Sequence, residues 1–349
     1  MMTNILNRAW TMAARPIGEP TQDNFAMKES VIPAPKHGEV LIKTLYMSLD
    51  PYMRGRMRSG PSYATVLEPG DIMTGEVVAR VEQSESQKYN VGDIVRANIG
   101  WQEWAAVGAH TVNRVDPNLA PISTSLGILG MPGMTAYFGL LAVLKPRAGD
   151  TLVVSAASGA VGAVVGQIGK INGCEVIGIA GTEEKCAYLI NELGFSHGIN
   201  YKKQNVSKEL SSIAPAGIDC YFDNVGGPVS DGVFENLALK SRVAICGQIS
   251  QYNAAETPKG PRNLASLIRT RTTVEGFLVY DFVLEHEVAR SRIATWIKEG
   301  RLKYKEDVVD GFENAPTAFI GLLNGKNFGK LLVKVSDYRT GQTTNNSSK

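Results

Sequence analysis

The stretch TLVVSAASGAVG, residues 151–162, decides the fold. Its first five residues, Thr151 to Ser155, form the short apolar run of a buried strand. Small residues follow from Ala156 to Ala160, and then Val161, Val164, Val165 and Ile168 recur at helical spacing, which places them on one face against a sheet. Strand, small-residue turn and helix in that order are the context a dinucleotide fingerprint requires. Small side chains let the backbone approach a pyrophosphate, and the helix start offers unpaired N–H groups and a favourable dipole. Gly159 and Gly162 stand at the last two glycine positions of that fingerprint, and Ala157 replaces the first. Gly159, Ala160, Val161 and Gly162 are therefore expected to hold the phosphates.

Working outward, the alternation of apolar strands and amphipathic helices continues downstream. Strands are expected at Cys174–Ala180, Asp219–Asp223, Arg242–Gly247 and Thr273–Val279, with a helix carrying Cys186, Leu189, Ile190 and Leu193 inward and stopping at Gly194. This is the pattern of an α/β, doubly wound parallel sheet of the Rossmann type over residues 128–302. Upstream, residues 1–127 read as a β-rich part, with short runs such as Glu39–Leu45 and Asp93–Asn98 between turn residues. The uncharged segment Ile128–Leu144 is broken by Gly130, Pro132, Gly133 and Gly139 and falls short of the roughly 20 apolar residues of a membrane span. It reads as a buried helix entrance. Beyond Lys303 come a helix-like piece, APTAFIGLLNG, and a strand-like one, Lys330–Val335; the simplest topology returns residues 303–337 to the first part. The polar segment 338–349 has little to bury and is expected to be a disordered tail.

Composition narrows the function. The chain has 349 residues, 44% of them hydrophobic, and a formal net charge of +2 without a long basic run. Nothing there favours nucleic acid or an anionic membrane, and a small molecule is the expected partner. The amino-terminal residues contain no apolar run of signal-peptide length, so a cytoplasmic location is expected. Cys174, Cys186, Cys220 and Cys246 are widely spaced in apolar surroundings, and His37, His110, His197 and His286 are dispersed, so no metal site is expected.

The second strand tells which nicotinamide cofactor to expect. NAD-binding folds usually end it with an acid that bonds the ribose 2′-hydroxyl, whereas a 2′-phosphate needs a neutral or cationic neighbour. Here the strand ends Ile179-Ala180-Gly181-Thr182, and Lys185 follows on the first helical turn. These residues favour NADPH. Glu183 and Glu184 are the contrary feature, though acids are also favoured in a first helical turn for dipole reasons.

Several further motifs accumulate: LDPYMRGRM at 49–57, AASGAVG at 156–162, GTEEK at 181–185, NYK at 200–202, YFDNVGG at 221–227, CGQISQYN at 246–253, EGFLV at 275–279 and NFGKLLVKV at 327–335. With them the chain resembles, nearly end to end, the zinc-independent medium-chain dehydrogenases/reductases of the prostaglandin reductase and double-bond reductase family, the bacterial NADPH-dependent curcumin reductase type above all. The resemblance implies a Rossmann domain inserted in a β-rich, GroES-like catalytic domain, a homodimer, and reduction of the carbon–carbon double bond of α,β-unsaturated ketones or aldehydes. By matching position it assigns Lys185 and Tyr201 to the adenosine phosphate. It assigns Asn224, Cys246, Tyr252, Phe277, Leu278, Val279 and Asn327 to further cofactor contacts, and Tyr52 to the substrate pocket.

Such a reaction sends a hydride to the β-carbon, and the charge spreads onto the carbonyl oxygen as an enolate. That oxygen needs a hydrogen-bond or proton donor, which a tyrosine supplies at neutral pH. Tyr252 is the first candidate, because its loop follows a strand at the carboxyl edge of the sheet; Tyr63, in GPSYATVLEPG, is the second. Met53 and Met57 are expected to join Tyr52 in an apolar pocket, with plain core packing as the other reading, and Arg54, Arg56 and Arg58 to form a solvated or ion-paired face, with anion binding as the alternative. A quinone reductase and a non-catalytic NADPH-binding protein remain as alternative readings.

Overall fold

Two large sheets and a two-stranded ribbon carry the chain, whose computed structural model describes residues 6–338 except 257 and 263. The polar tail expected beyond Tyr338 lies outside the described residues. A two-stranded antiparallel ribbon opens the β-rich part, β1 (Leu6–Met12) against β2 (Phe25–Val31). There follow β3 (Glu39–Ser48), β4 (Glu76–Ser84), β5 (Ile94–Asn98), β6 (Trp104–Gly108) and β7 (Asn113–Arg114). The parallel sheet is built from β8 (Thr151–Ser155), β9 (Glu175–Ala180), β10 (His197–Asn200), β11 (Ile218–Asp223), β12 (Leu237–Ile245) and β13 (Thr273–Gly276). The last strands, β14 (Glu306–Asp310) and β15 (Lys330–Lys334), pair in parallel, and β15 lies antiparallel on β3 with Leu332 opposite Ser48. The chain thus leaves the first sheet, completes the second, and returns to the first.

The parallel sheet has the order β10-β9-β8-β11-β12-β13, that is 3-2-1-4-5-6 within the sheet. This is the doubly wound Rossmann order, and its crevice opens where the order reverses, at the carboxyl ends of β8 and β11. Three of the four expected positions behave as their spacing predicts, Val164, Val165 and Ile168 being buried in helix Gly162–Ile171, whereas Val161 stands half-buried at its N-cap and lines the cleft; Leu152 to Val154 are fully buried in β8. Gly166 is needed there, because a Cβ on it would sit 1.9 Å from the Phe195 ring. Helix Glu183–Asn191 departs in one detail. Cys186 and Leu189 are buried while Ile190 is exposed, since the helix covers only the β9–β10 side of the sheet and its apolar stripe is narrow. β13 is shorter than expected and ends at Gly276, which frees Phe277, Leu278 and Val279 to turn toward the crevice. Residues 128–144 form the buried helix Met131–Phe138 and a wider, π-type turn, Gly139–Leu144.

The β-rich part has its own core. Trp101 is fully buried, stacked on Phe25 at 5.9 Å between ring centroids and met edge-on by Phe319 at 5.5 Å. Phe319 lies on helix Ala315–Leu323, so the returning segment fills a core begun nearly 300 residues earlier. No helix of the described residues is long and apolar enough to cross a membrane.

Candidate active site

A cleft of about 700 Å³ runs along the carboxyl edge of the parallel sheet, walled on its other side by the β-rich part. Its floor is the turn after β8. Ala156 takes a left-handed φ of +49°, and Gly162 approaches it so closely that a Cβ would lie 2.5 Å from the Ala156 carbonyl oxygen. This tight return aims the start of helix Gly162–Ile171 into the cleft, lined there by Gly159, Ala160, Val161 and Gly162. An isolated bridge between Gly159 and Gly329 ties the turn to the segment entering β15.

At one end of the cleft lie Lys185 and Tyr201, joined by Lys202. Thr182 caps helix Glu183–Asn191 by accepting from Lys185 N at 3.1 Å, which fixes where the lysine side chain leaves the backbone. Lys185 Nζ donates to Gly325 O at 2.7 Å, and burial, with the nearby Lys202 charge, holds its pKa below the usual lysine value. Glu183 turns away: its carboxylate accepts from Asn200 Nδ2 at 2.8 Å and pairs with Lys203 at 3.6 Å. Glu184 does not line the cleft either. Glu183 is thus engaged away from the cleft, while the Glu184 charge still reaches Lys185. Lys202 escaped the sequence reading although it ends the NYK motif, because only a bend in the chain after β10 brings it round to the cleft.

The middle of the cleft is organised by a buried acid, Asp223, at the end of β11. Its carboxylate accepts from Tyr221 Oη (2.8 Å), Val225 N and Gly226 N (2.9 Å each), Ser230 Oγ (2.7 Å) and Gln248 Nε2 (3.1 Å). These bonds set the two loops that carry Asn224 and Tyr252. Asn224 Nδ2 donates to Ser155 O at 2.8 Å, and Gln248 N donates to the Tyr252 hydroxyl at 3.2 Å. Burial raises the Tyr252 pKa above its ordinary value. Cys246 lines the cleft, where burial pushes its thiol up to about 12. Phe277, Leu278, Val279 and Asn327 also line it, with Tyr280 as an aromatic the sequence reading missed.

The opposite wall is the short helix Tyr52–Arg56. Tyr52 faces the cleft, and burial, aided by the Asp50 charge, raises its pKa. Tyr63 also lines the cleft and is 57% exposed; the Arg56 guanidinium lies 4.7 Å from its ring centroid and 5.7 Å from that of Tyr52. Met53 and Met57 do not line the cleft. Both are fully buried in the β-rich core, because positions four apart share one helix face and that face is turned inward. The arginines also differ from expectation: Arg54 and Arg56 are buried, and none of Arg54, Arg56 and Arg58 forms an ion pair among the described residues. Their N–H groups donate to carbonyl and amide oxygens of neighbouring loops instead.

Comparison with known proteins places this arrangement. Residues 8–115 match the family described as "N-terminal domain of oxidoreductase", and residues 160–296 the family described as "Zinc-binding dehydrogenase". The chain is 43% identical over 335 residues to the NADPH-dependent curcumin reductase of Escherichia coli (strain K12), covering 95% of this chain and 97% of that protein. It is 42% identical over 332 residues to prostaglandin reductase 1 of Bos taurus, covering 94% and 98%. The crystal structure of CurA from Vibrio vulnificus in complex with NADPH superposes with a TM-score of 0.91 at 44% identity, over 95% of this chain and all of that one. Zinc does not fit the donor set present. No cysteine precedes Cys174, and among the described residues no three His, Cys, Asp or Glu side chains stand together as ligands. The chain belongs to the medium-chain dehydrogenases/reductases, in the branch of the curcumin and prostaglandin reductases.

Proposed function

We propose that this protein reduces the carbon–carbon double bond of α,β-unsaturated ketones and aldehydes, with NADPH as the hydride source. The observation that carries the reading is that Tyr52, Tyr63 and Tyr252 share one cleft with the phosphate turn and the Lys185–Lys202 pair. Bound NADPH supplies a hydride. In this reading Lys185, Lys202 and Tyr201 take the 2′-phosphate, and Gly159 to Gly162 take the pyrophosphate at the helix start. Asn224, Cys246, Tyr252, Asn327 and the run Phe277-Leu278-Val279 bound the rest of the cofactor. Tyr252 donates a hydrogen bond or a proton to the carbonyl oxygen as charge develops there, with Tyr63 as the second donor candidate, and a proton from solvent reaching the α-carbon completes the saturated product. Burial raises the pKa of both phenols, so at neutral pH they stand in the cleft as protonated hydrogen-bond donors. Tyr52, Ile249 and Met131 provide apolar walls for a flat, conjugated substrate. The named relatives point the same way, their names carrying curcumin and prostaglandin. Residues 1–127 and 303–337 act together as the catalytic domain around the Rossmann domain of residues 128–302.

A homodimer belongs to the same reading. Every residue of edge strand β13 is exposed, and Leu264, Ile268, Val283, Leu284 and Val288 add exposed apolar surface nearby. An unpaired edge beside apolar surface is suited to pairing with a second copy.

The test is NADPH oxidation followed by absorbance, with curcumin, a short alkenal, a simple quinone and a saturated aldehyde offered in parallel. Consumption with the two enones is expected. Consumption only with the quinone would move the reading to a quinone reductase, and none with any acceptor would leave a binding protein.

A further inference from the structure

Tyr252 lies on a loop of the parallel-sheet part, yet its position is secured from the other side of the cleft. Within its own part the residue is held loosely: its hydroxyl accepts from Gln248 N at 3.2 Å, and its N–H donates to Ile249 O at 3.3 Å. From the β-rich part, Arg58 Nη2 donates to Gln251 O at 3.2 Å and to Ala254 O at 2.6 Å. Arg54 Nε donates to Asn253 Oδ1 at 3.1 Å, while its Nη2 donates to Gly18 O at 2.7 Å. The neighbours of Tyr252 on both sides are thus gripped by two guanidinium groups that leave one short helix and its following turn.

These contacts cost the fold something. Arg54 is 1% exposed and has no ion-pair partner among the described residues. Burial, with the repulsion of Arg58, lowers its pKa to about 10, so it remains a cation at neutral pH, buried against neutral oxygens. A buried charge without a counter-charge is expensive. The return on that cost is geometric. A planar fork reaches two acceptors on separate segments at fixed angles, which an ammonium does not.

We propose that Arg54 and Arg58 are positioning residues that hold the 251–254 segment, and through it the Tyr252 hydroxyl, at its height above the reacting end of the cleft. The inference rests on the reading of Tyr252 as hydrogen donor. It separates two properties of the site. The adenosine end of the cofactor is bound by Lys185, Tyr201 and the phosphate turn, none of which touches the clamp. The adenosine end has its own ties across the two parts, Lys185 Nζ to Gly325 O and the Gly159–Gly329 bridge, so loss of the arginine bonds is expected to release the 251–254 segment alone.

Arg58→Gln is the primary variant, since Arg58 is only partly buried and its loss leaves the β-rich core intact. With an enone acceptor, kcat is expected to fall about 10- to 100-fold while KM for NADPH stays unchanged, the loss typical of a misplaced reacting group. Arg58→Lys, which keeps the charge but not the fork, recovers part of the rate. In a Tyr252→Phe background the Arg58 change adds little further loss, because the group it positions is already gone. A wild-type kcat in Arg58→Gln overturns the proposal, as does a parallel rise in KM for NADPH or an equal loss in both backgrounds. If Tyr252→Phe alone keeps full activity, the donor reading of Tyr252 fails instead. The clamp is then decided by Arg58→Gln alone: a kcat loss at unchanged KM keeps it acting on another group of the reacting end, and no loss overturns it.

Discussion

Lys330 Nζ lies 2.6 Å from Asp50 Oδ1, with the two side chains only 4% and 9% exposed, and it also donates to Leu49 O at 3.0 Å. This buried pair joins β15, the last strand to return, to the segment that enters helix Tyr52–Arg56. It therefore anchors the wall of the cleft to the end of the chain. Removing one partner leaves an uncompensated buried charge, so Lys330→Ala is expected to cost about 3–5 kcal/mol of stability, read as a lowered denaturant midpoint. The joint replacement Asp50→Leu with Lys330→Met should recover much of that loss. A single variant as stable as the parent would show that the pair does not hold the wall.

If Lys185 and Lys202 take the 2′-phosphate, as proposed, cofactor selectivity rests on them. Lys185→Ala is expected to weaken NADPH about 10- to 100-fold, the value of a charge-assisted hydrogen bond, while NADH changes little. Lys202→Ala should weaken it in the same sense by less, since Lys185 alone is anchored, through Gly325 O. Dissociation constants from fluorescence titration with both cofactors check this, and parallel losses for NADPH and NADH would remove the assignment to the 2′-phosphate.

Tyr252→Phe removes only a hydroxyl. A loss of about 100-fold or more in kcat is expected from general acid–base contributions, with KM for NADPH unchanged. The pH dependence has a definite sign. A tyrosine donates only while protonated, and burial raises its pKa, so the donor form persists to higher pH than in a free phenol. The alkaline fall in kcat that depends on Tyr252 should therefore lie above the free-phenol value of about 10. A limb at neutral pH that disappears in Tyr252→Phe would contradict this.

Neighbouring residues on the short helix should separate cleanly. Met53 is fully buried in the core, so Met53→Ala is expected to cost about 2–5 kcal/mol of stability with little change in KM for the enone. Tyr52→Ala, at the cleft, should raise that KM at smaller cost in stability. Denaturation curves and steady-state kinetics on the two variants decide between wall and core.

With an enone as substrate, as proposed, Cys246 would face a chemical hazard, because enones alkylate thiolates. Burial, with the Asp223 charge, pushes its thiol up to about 12, against an ordinary 9.0. That shift leaves far less thiolate at neutral pH than an ordinary cysteine carries. Slow iodoacetamide labelling of Cys246 in the folded protein, accelerating on unfolding, is the expected result by mass spectrometry.

The amino-acid sequence by itself determined the parallel sheet and the phosphate turn, because both depend on local patterns. An apolar run, a set of small residues and a helical repeat lie within one stretch of 20 residues ending at Lys170. The same locality made Lys185 legible as the first basic residue after a strand that ends without an acid. Tertiary structure alone decided which way the residues between Tyr52 and Arg58 face. A helix of five residues is too short to display an apolar stripe, so Met53 and Met57 could be read as pocket and the arginines as surface. Their partners, Trp101 and Phe319 for the core and Gln251 to Ala254 for the clamp, lie far along the chain. Glu183 behaved likewise, its orientation set by Asn200 and Lys203 across the β9–β10 pair. Periodicity reports what a segment needs to bury; which surface meets it is fixed only when distant segments fold against one another, and the cleft is made of such meetings.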